Sequence, residues 1–181
     1  DFFYDGSKYS ENLTSSFLGP AWAEELLKFS ILYLIVLKRN EFNEPMDGLV
    51  YGVVVSLGFA TYENYTYVYE WAEQIAKEEG YNFAELSYYV ALARSYSAIP
   101  MHGLNGAIMG YYFGMYAFTG KKNFLILSLI LPYLFHGFYN FLVWPYPMTV
   151  VGILVLFSFY LHNELKQKQK LKRNEKETKK I

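Results

Sequence analysis

Five stretches of this 181-residue chain are apolar enough and long enough to cross a bilayer, yet most of them carry charged or strongly polar side chains. About 20 mostly apolar helical residues are needed for one crossing. Inside lipid a helix satisfies its own backbone hydrogen bonds, so the expected fold class is all-α: a polytopic transmembrane helix bundle of about five spans. The stretches are Phe17–Leu37, Met46–Tyr69, a segment within Leu86–Phe118, Asn123–Trp144 and Met148–Leu165. Pro100 is expected to divide the third into two helical pieces. The chain then divides into a leader, 1–16, a transmembrane domain, 17–165, and a basic tail, 166–181.

The distribution of Lys and Arg orients the bundle. Twelve of the sixteen basic residues fall on one side: Lys38 and Arg39, Lys121 and Lys122, and eight between Lys166 and Lys180. The opposite side holds Lys8 and Lys77, while Lys28 and Arg94 lie in or near spans. Basic loops stay in the cytoplasm, so the carboxyl-terminus is expected there and the segments 1–16 and 70–85 outside. The chain begins at Asp1 without a signal-peptide pattern, and an outward amino-terminus with so short a leader implies further spans upstream. The tail reads as a solvated, partly disordered end whose basic half could meet anionic lipid. Basic residues are not interleaved through the fold, so no nucleic-acid partner is indicated. The absence of cysteine excludes disulfide frameworks, thiol nucleophiles and Cys-ligated clusters.

Small and aromatic residues fit the same picture. Gly106, Gly110 and Gly114 form a GxxxGxxxG stripe, and Gly48, Gly52 and Gly58 line part of the second span. Such stripes let helices approach closely in lipid, where hydrophobicity cannot drive association. Trp22, Tyr67, Tyr69, Trp71, Trp144 and Tyr146 sit near the expected interfaces as an aromatic belt.

Ionisable groups inside the spans carry the functional signal. Glu24, Glu25 and Lys28 lie in the first, Glu63 with Asn64 in the second, His102 just after Pro100, and His136 with Asn140 in the fourth. A charge at the bilayer centre costs at least about 2.5 kcal/mol and usually marks function. At a rise of 1.5 Å per residue, Glu24, Glu63 and His136 lie about 10, 9 and 12 Å from the outer ends of their helices. One shared cavity open to the outside accounts for this common depth. His136 and Asn140 are four residues apart and share a helix face, as do Glu24 and Lys28, and Glu63 and Tyr67.

Two histidines, several carboxylates and an asparagine suit water activation. A carboxylate takes a proton while a histidine or a metal orients the water, and an asparagine amide donates to the developing oxyanion. Glu24, Glu25, His136 and Asn140 are the candidate catalytic residues. Glu63, His102 and His136 are the candidate ligands of a zinc ion (Zn2+), with Glu24 or Glu25 as base. A metal-free site, in which Glu24 and a histidine hold the water directly, is the alternative. Neither HExxH nor a GxSxG elbow is present. A proton- or ion-coupled transporter would also use buried carboxylates and histidines, but no inverted repeat is visible.

In order, EExxK (Glu24–Lys28), DGxxYG (Asp47–Gly52), GFAxxEN (Gly58–Asn64), His102 before a glycine-rich stretch to Gly110, and HxxxN (His136–Asn140) run along successive spans. This combination, from about Gly19 to Asn140, resembles the PrsW family of intramembrane proteases, which is distantly similar to the CAAX prenyl endopeptidases. The resemblance implies hydrolysis of peptide bonds in membrane-anchored proteins, in bacteria anti-sigma factors, from the outer side of the cell membrane. It also implies an essential Glu24–Glu25 pair, His102 and His136 as active-site histidines, and Asn140 completing the last element. A CAAX-type protease acting on prenylated tails would instead need a site facing the cytoplasm.

Topology can be tested directly because the chain has no cysteine of its own. Cysteine placed at Glu70 or Asn82 should react with an impermeant thiol reagent in intact cells, and cysteine at Lys121 should not. The reverse pattern would invert the orientation.

Overall fold

A computed structural model describes residues 6–143 and 145–178, so Trp144 of the aromatic belt and Lys179 and Lys180 of the tail lie outside the described residues. Among the described residues the fold is helical throughout, with no strand. Its elements are α1 (Gly6–Ser16), a π-helical turn (Phe17–Ala21), α2 (Trp22–Leu34), a 3-10 turn (Val36–Lys38), α3 (Pro45–Tyr65), a second π-helical turn (Thr66–Trp71), α4 (Ala72–Glu79), α5 (Phe83–Tyr96), α6 (Ala98–Thr119), α7 (Lys122–Phe141) and α8 (Pro147–Thr178).

The helices begin and end where the sequence supplies caps. Asp47 closes a capping box on α3: its Oδ2 accepts from the backbone N–H of Glu44 at 2.8 Å and of Asn43 at 2.9 Å. Pro45 stands in the first turn, where no backbone donor is missed. Asn82 caps α5 by accepting from Glu85 N at 3.1 Å. Gly80 and Gly120 end α4 and α6 at φ of 74° and 69°, the left-handed geometry that glycine adopts without strain.

α6 is the centre of the bundle, and α3, α7, α8, α5 and α2 all contact it. The face it shares with α3 is backbone against backbone. A Cβ on Gly52 would collide with the Gly106 carbonyl, one on Gly48 with that of Gly110, and one on Gly114 with that of Pro45. The glycine stripe therefore does the packing expected of it, except at Gly58, which has open space where a Cβ would stand. The paired positions run in opposite directions along the two chains, so α3 and α6 are antiparallel. On its other side α6 joins Met101, Ile108, Tyr111 and Met115 to Val150, Val151, Leu154, Leu161 and Leu165 of α8 in one apolar core. A second cluster gathers Leu32, Val36, Phe42, Met109 and Phe113.

Several sequence boundaries move. The first span is interrupted at Gly19, whose ψ of −122° leaves the helix beside Pro20. The second ends as an α-helix at Tyr65 and continues as a π-turn into α4. The break in the third falls at Ser97 (φ −121°, ψ −75°), and Pro100 sits in the first turn of α6, where its missing N–H is harmless. The tail prolongs α8 to Thr178 instead of starting a disordered segment. Among the described residues two helices, α7 and the Pro147–Lys170 part of α8, are long and apolar enough to cross a membrane. α3 and α6 have the length, 21 and 22 residues, but dilute their apolar residues with glycine, tyrosine and polar groups.

The α3–α6 contact predicts a sharp contrast between two glycines. Gly52→Ala should lower stability by about 1–3 kcal/mol through overpacking, whereas Gly58→Ala should be neutral or stabilise by up to about 1 kcal/mol through helix propensity. Thermal unfolding in detergent reads both, and equal effects would contradict the contact.

Candidate active site

Four helices deliver polar groups to one level of the bundle. The kink at Gly19 and Pro20 starts α2 anew, and its first two turns carry Glu24, Glu25 and Lys28. α3 brings Glu63 and Asn64 in its last turn, α6 brings His102 in its second turn, and α7 brings His136 one turn beyond Pro132. Asn105, fully buried one turn after His102, donates to the Pro132 carbonyl at 3.0 Å and so ties α6 to α7 beside the two histidines. The His102 and His136 rings meet edge to face at 5.1 Å.

Glu25 and Lys28 are wholly buried, and the Lys28 ammonium donates to Glu25 Oε1 at 2.8 Å. A second Lys28 proton goes to His102 Nδ1 at 3.0 Å. Because an ammonium only donates, Nδ1 offers its lone pair and the ring proton is on Nε2, which donates to Glu63 Oε2 at 2.7 Å. Glu63 Oε2 also accepts from Arg94 Nη2 at 2.8 Å, and Arg94 Nε donates to Asn64 Oδ1 at 2.6 Å. The Arg94 guanidinium lies over the Tyr67 ring at 4.2 Å.

His136 is held in the same style. Its Nδ1 lies 2.8 Å from Glu25 Oε1, so Nδ1–H donates to the carboxylate and Nε2 keeps a free lone pair. That lone pair faces Glu24 Oε2 at 3.8 Å. Glu24 Oε2 is buried and has no hydrogen-bond partner among the described residues. Two acceptors so placed need a donor or a cation between them.

Beside this group opens a cavity of about 350 Å³ lined by Asn12, Ser15, Ser16, Pro20, Glu63, Tyr67 and Asn140. The segment read as a leader therefore contributes a wall of the cavity, and Asn12 is tied to α7 by a 3.3 Å bond to the Phe141 carbonyl.

The expected site residues converge, with a different internal arrangement. Glu24, His102 and His136 each offer a ligand atom within 4.8 Å of the others. Glu63, expected as a zinc ligand, has Arg94 as a cationic partner and occupies the far nitrogen of His102. Lys28, on the helix face of Glu24, stands closer to Glu25, at 2.8 Å against 3.6 Å. Asn140 lies on the cavity wall with Glu63 and Tyr67. Arg94 escaped the sequence reading, although an arginine near a span calls for an acidic partner.

Glu24, His102 and His136 form a donor set suited to zinc. Each histidine has a carboxylate on one ring nitrogen, Glu63 on His102 and Glu25 on His136, the support that fixes tautomer and orientation in metal centres. The orphaned Glu24 oxygen and the free His136 lone pair fit a cation; the His102 lone pair is already engaged by Lys28.

The chain resembles known proteins over most of its length. It matches the family described as PrsW family intramembrane metalloprotease over residues 3–162. A protein named Protease PrsW from Clostridioides difficile (strain 630) is 32% identical over 162 residues, which cover 84% of this chain and 63% of that protein. Its namesakes from Geobacillus kaustophilus (strain HTA426) and Bacillus subtilis (strain 168) are each 38% identical, over 74% and 71% of this chain and 56% and 53% of their own lengths. The chain thus spans less than two thirds of these relatives. No solved structure matches it. With a family match over nearly the whole sequence and relatives of this identity, the chain belongs to the PrsW family of intramembrane metalloproteases.

Proposed function

We propose that the chain carries the active site of an intramembrane endopeptidase that cuts membrane-anchored proteins from the outer side of the cell membrane. The observation that carries this reading is the 3.8 Å gap between Glu24 Oε2 and His136 Nε2, two acceptors facing each other beside a polar cavity. A water molecule there would donate one proton to each and turn an oxygen lone pair outward.

In this reading Glu24 is the base. Its side chain is 12% exposed, whereas that of Glu25 is fully buried and committed to Lys28 and His136. Glu24 takes the proton as the water oxygen attacks the scissile carbonyl, then returns it to the leaving amine. Glu25 acts on His136 alone, holding the tautomer that leaves Nε2 free. Glu63, anchored by Arg94, does the same for His102. Asn140 offers its amide to the oxyanion from the cavity wall. Were a divalent metal bound in place of that water, Glu24, His102 and His136 would hold it, Glu24 would then be a ligand and not the base, and the ion would polarise the carbonyl as a Lewis acid.

The cavity wall supports a peptide substrate. Asn12, Ser15, Ser16 and Asn140 present side-chain hydrogen-bonding groups, as an unwound stretch of substrate backbone requires inside a membrane. Five spans, a cytoplasmic tail and an outward-facing site follow from the charge bias and common depth read in the sequence. The substrates expected from the family resemblance are anchored regulatory proteins such as anti-sigma factors.

Glu24→Gln and His136→Ala should each abolish nearly all cleavage of a membrane-anchored substrate by the purified protein, with helix content unchanged. The double variant should be hardly worse than either, because base and partner act as a unit. Cleavage above a few per cent in either single variant would remove that residue from the catalytic set.

A further inference from the structure

The Lys28 ammonium stands among the groups that would hold a cation. It donates to His102 Nδ1 at 3.0 Å and to Glu25 Oε1 at 2.8 Å, lies 3.6 Å from Glu24 Oε2, and is capped by the Phe59 ring at 4.7 Å from the ring centroid. It is wholly buried. An imidazole nitrogen has one in-plane lone pair, and the other nitrogen of His102 carries the proton given to Glu63. Nδ1 is thus the only His102 atom a metal could use, and Lys28 already uses it.

The two occupants exclude each other. A zinc ion binds an imidazole nitrogen at about 2.1 Å along that lone pair. Lys28 Nζ lies on the same nitrogen at 3.0 Å, so an ion there would stand within about 1 Å of it. Two cations at that separation also repel.

We propose that Lys28 is the built-in cation of the site, occupying the His102 lone pair until a divalent metal displaces it. This rests on the assignment of Glu24, His102 and His136 as the cation-binding group. Loading the site exchanges one cation for another: the ammonium must leave His102 while keeping Glu25, three residues away on the same helix. The flexible four-carbon stem of lysine permits that movement. Lys28 therefore sets the metal affinity of the site without being a ligand.

The test is zinc affinity of the full chain in detergent, measured by competition with a chromophoric chelator and by metal content after desalting. Lys28→Met and Lys28→Gln should both bind zinc more tightly than the native protein, by about tenfold or more. The gain should disappear when either is combined with His102→Ala, because the contested lone pair is gone. Zinc should also raise the thermal unfolding midpoint of Lys28→Met more than that of the native chain, which serves as the folding control. Should Lys28→Met misfold without metal, Lys28→Gln, which keeps a donor for Glu25, carries the comparison. Equal or weaker zinc binding by the folded variants would overturn the proposal, as would a gain that survives His102→Ala. If neither the native chain nor the variants bind zinc while the native chain still cleaves substrate, competition is refuted and the protease reading stands. If zinc binding behaves as expected but no substrate is cut, the reverse holds.

Discussion

Contact without side chains between α3 and α6 is the constraint on which the site depends. Gly48 and Gly52 lie directly on Gly106 and Gly110, so the helix axes approach more closely than any larger residue would permit. A few turns along, that proximity lets the last turn of α3 reach the start of α6, where Glu63 meets His102 at 2.7 Å. Polar side chains of ordinary length can then bridge the helices. Had the glycines been alanines, the carboxylate and imidazole would be held apart and the hydrogen bond between them lost.

The polar centre is an alternation of charges, each answered locally. Three carboxylates (Glu24, Glu25, Glu63) face two cations (Lys28, Arg94), and the two histidines serve as neutral bridges. Burying one charge alone would be prohibitive, while hydrogen-bonded pairs are tolerable. With all three carboxylates ionised the centre would carry one negative charge more than its two cations balance, and Glu24 Oε2 and Glu25 Oε2 have no hydrogen-bond partner among the described residues. Such a centre favours the arrival of a proton or a positive ion over departure of either.

Much of this was legible in the sequence, for identifiable reasons. Helix periodicity alone puts His136 and Asn140 on one face, and a charge in an apolar stretch announces itself, so Glu24, Glu25, Lys28, Glu63, His102 and His136 could all be named in advance. What periodicity cannot give is which helix faces which. Glu63 is expected among the metal ligands; Arg94, 31 residues later on α5, is brought to it only by the turn through α4. Asp47 in the DGxxYG motif is a helix cap, a role that becomes visible only once the start of α3 is fixed. Asn12, Ser15 and Ser16 looked like exterior leader, and the kink at Gly19 folds them onto the cavity.

That kink bears on a supply problem. Hydrolysis consumes water, and a bilayer interior holds almost none. Non-helical backbone at membrane depth persists only where it lines a wet space or is buried in protein, and at Gly19 the helix breaks beside Pro20, a residue of the cavity wall. With a volume of about 350 Å³, the cavity would hold on the order of ten water molecules at ~30 Å³ each. In the proposed reaction the broken helix would be the shore of a small reservoir from which the second reactant is drawn.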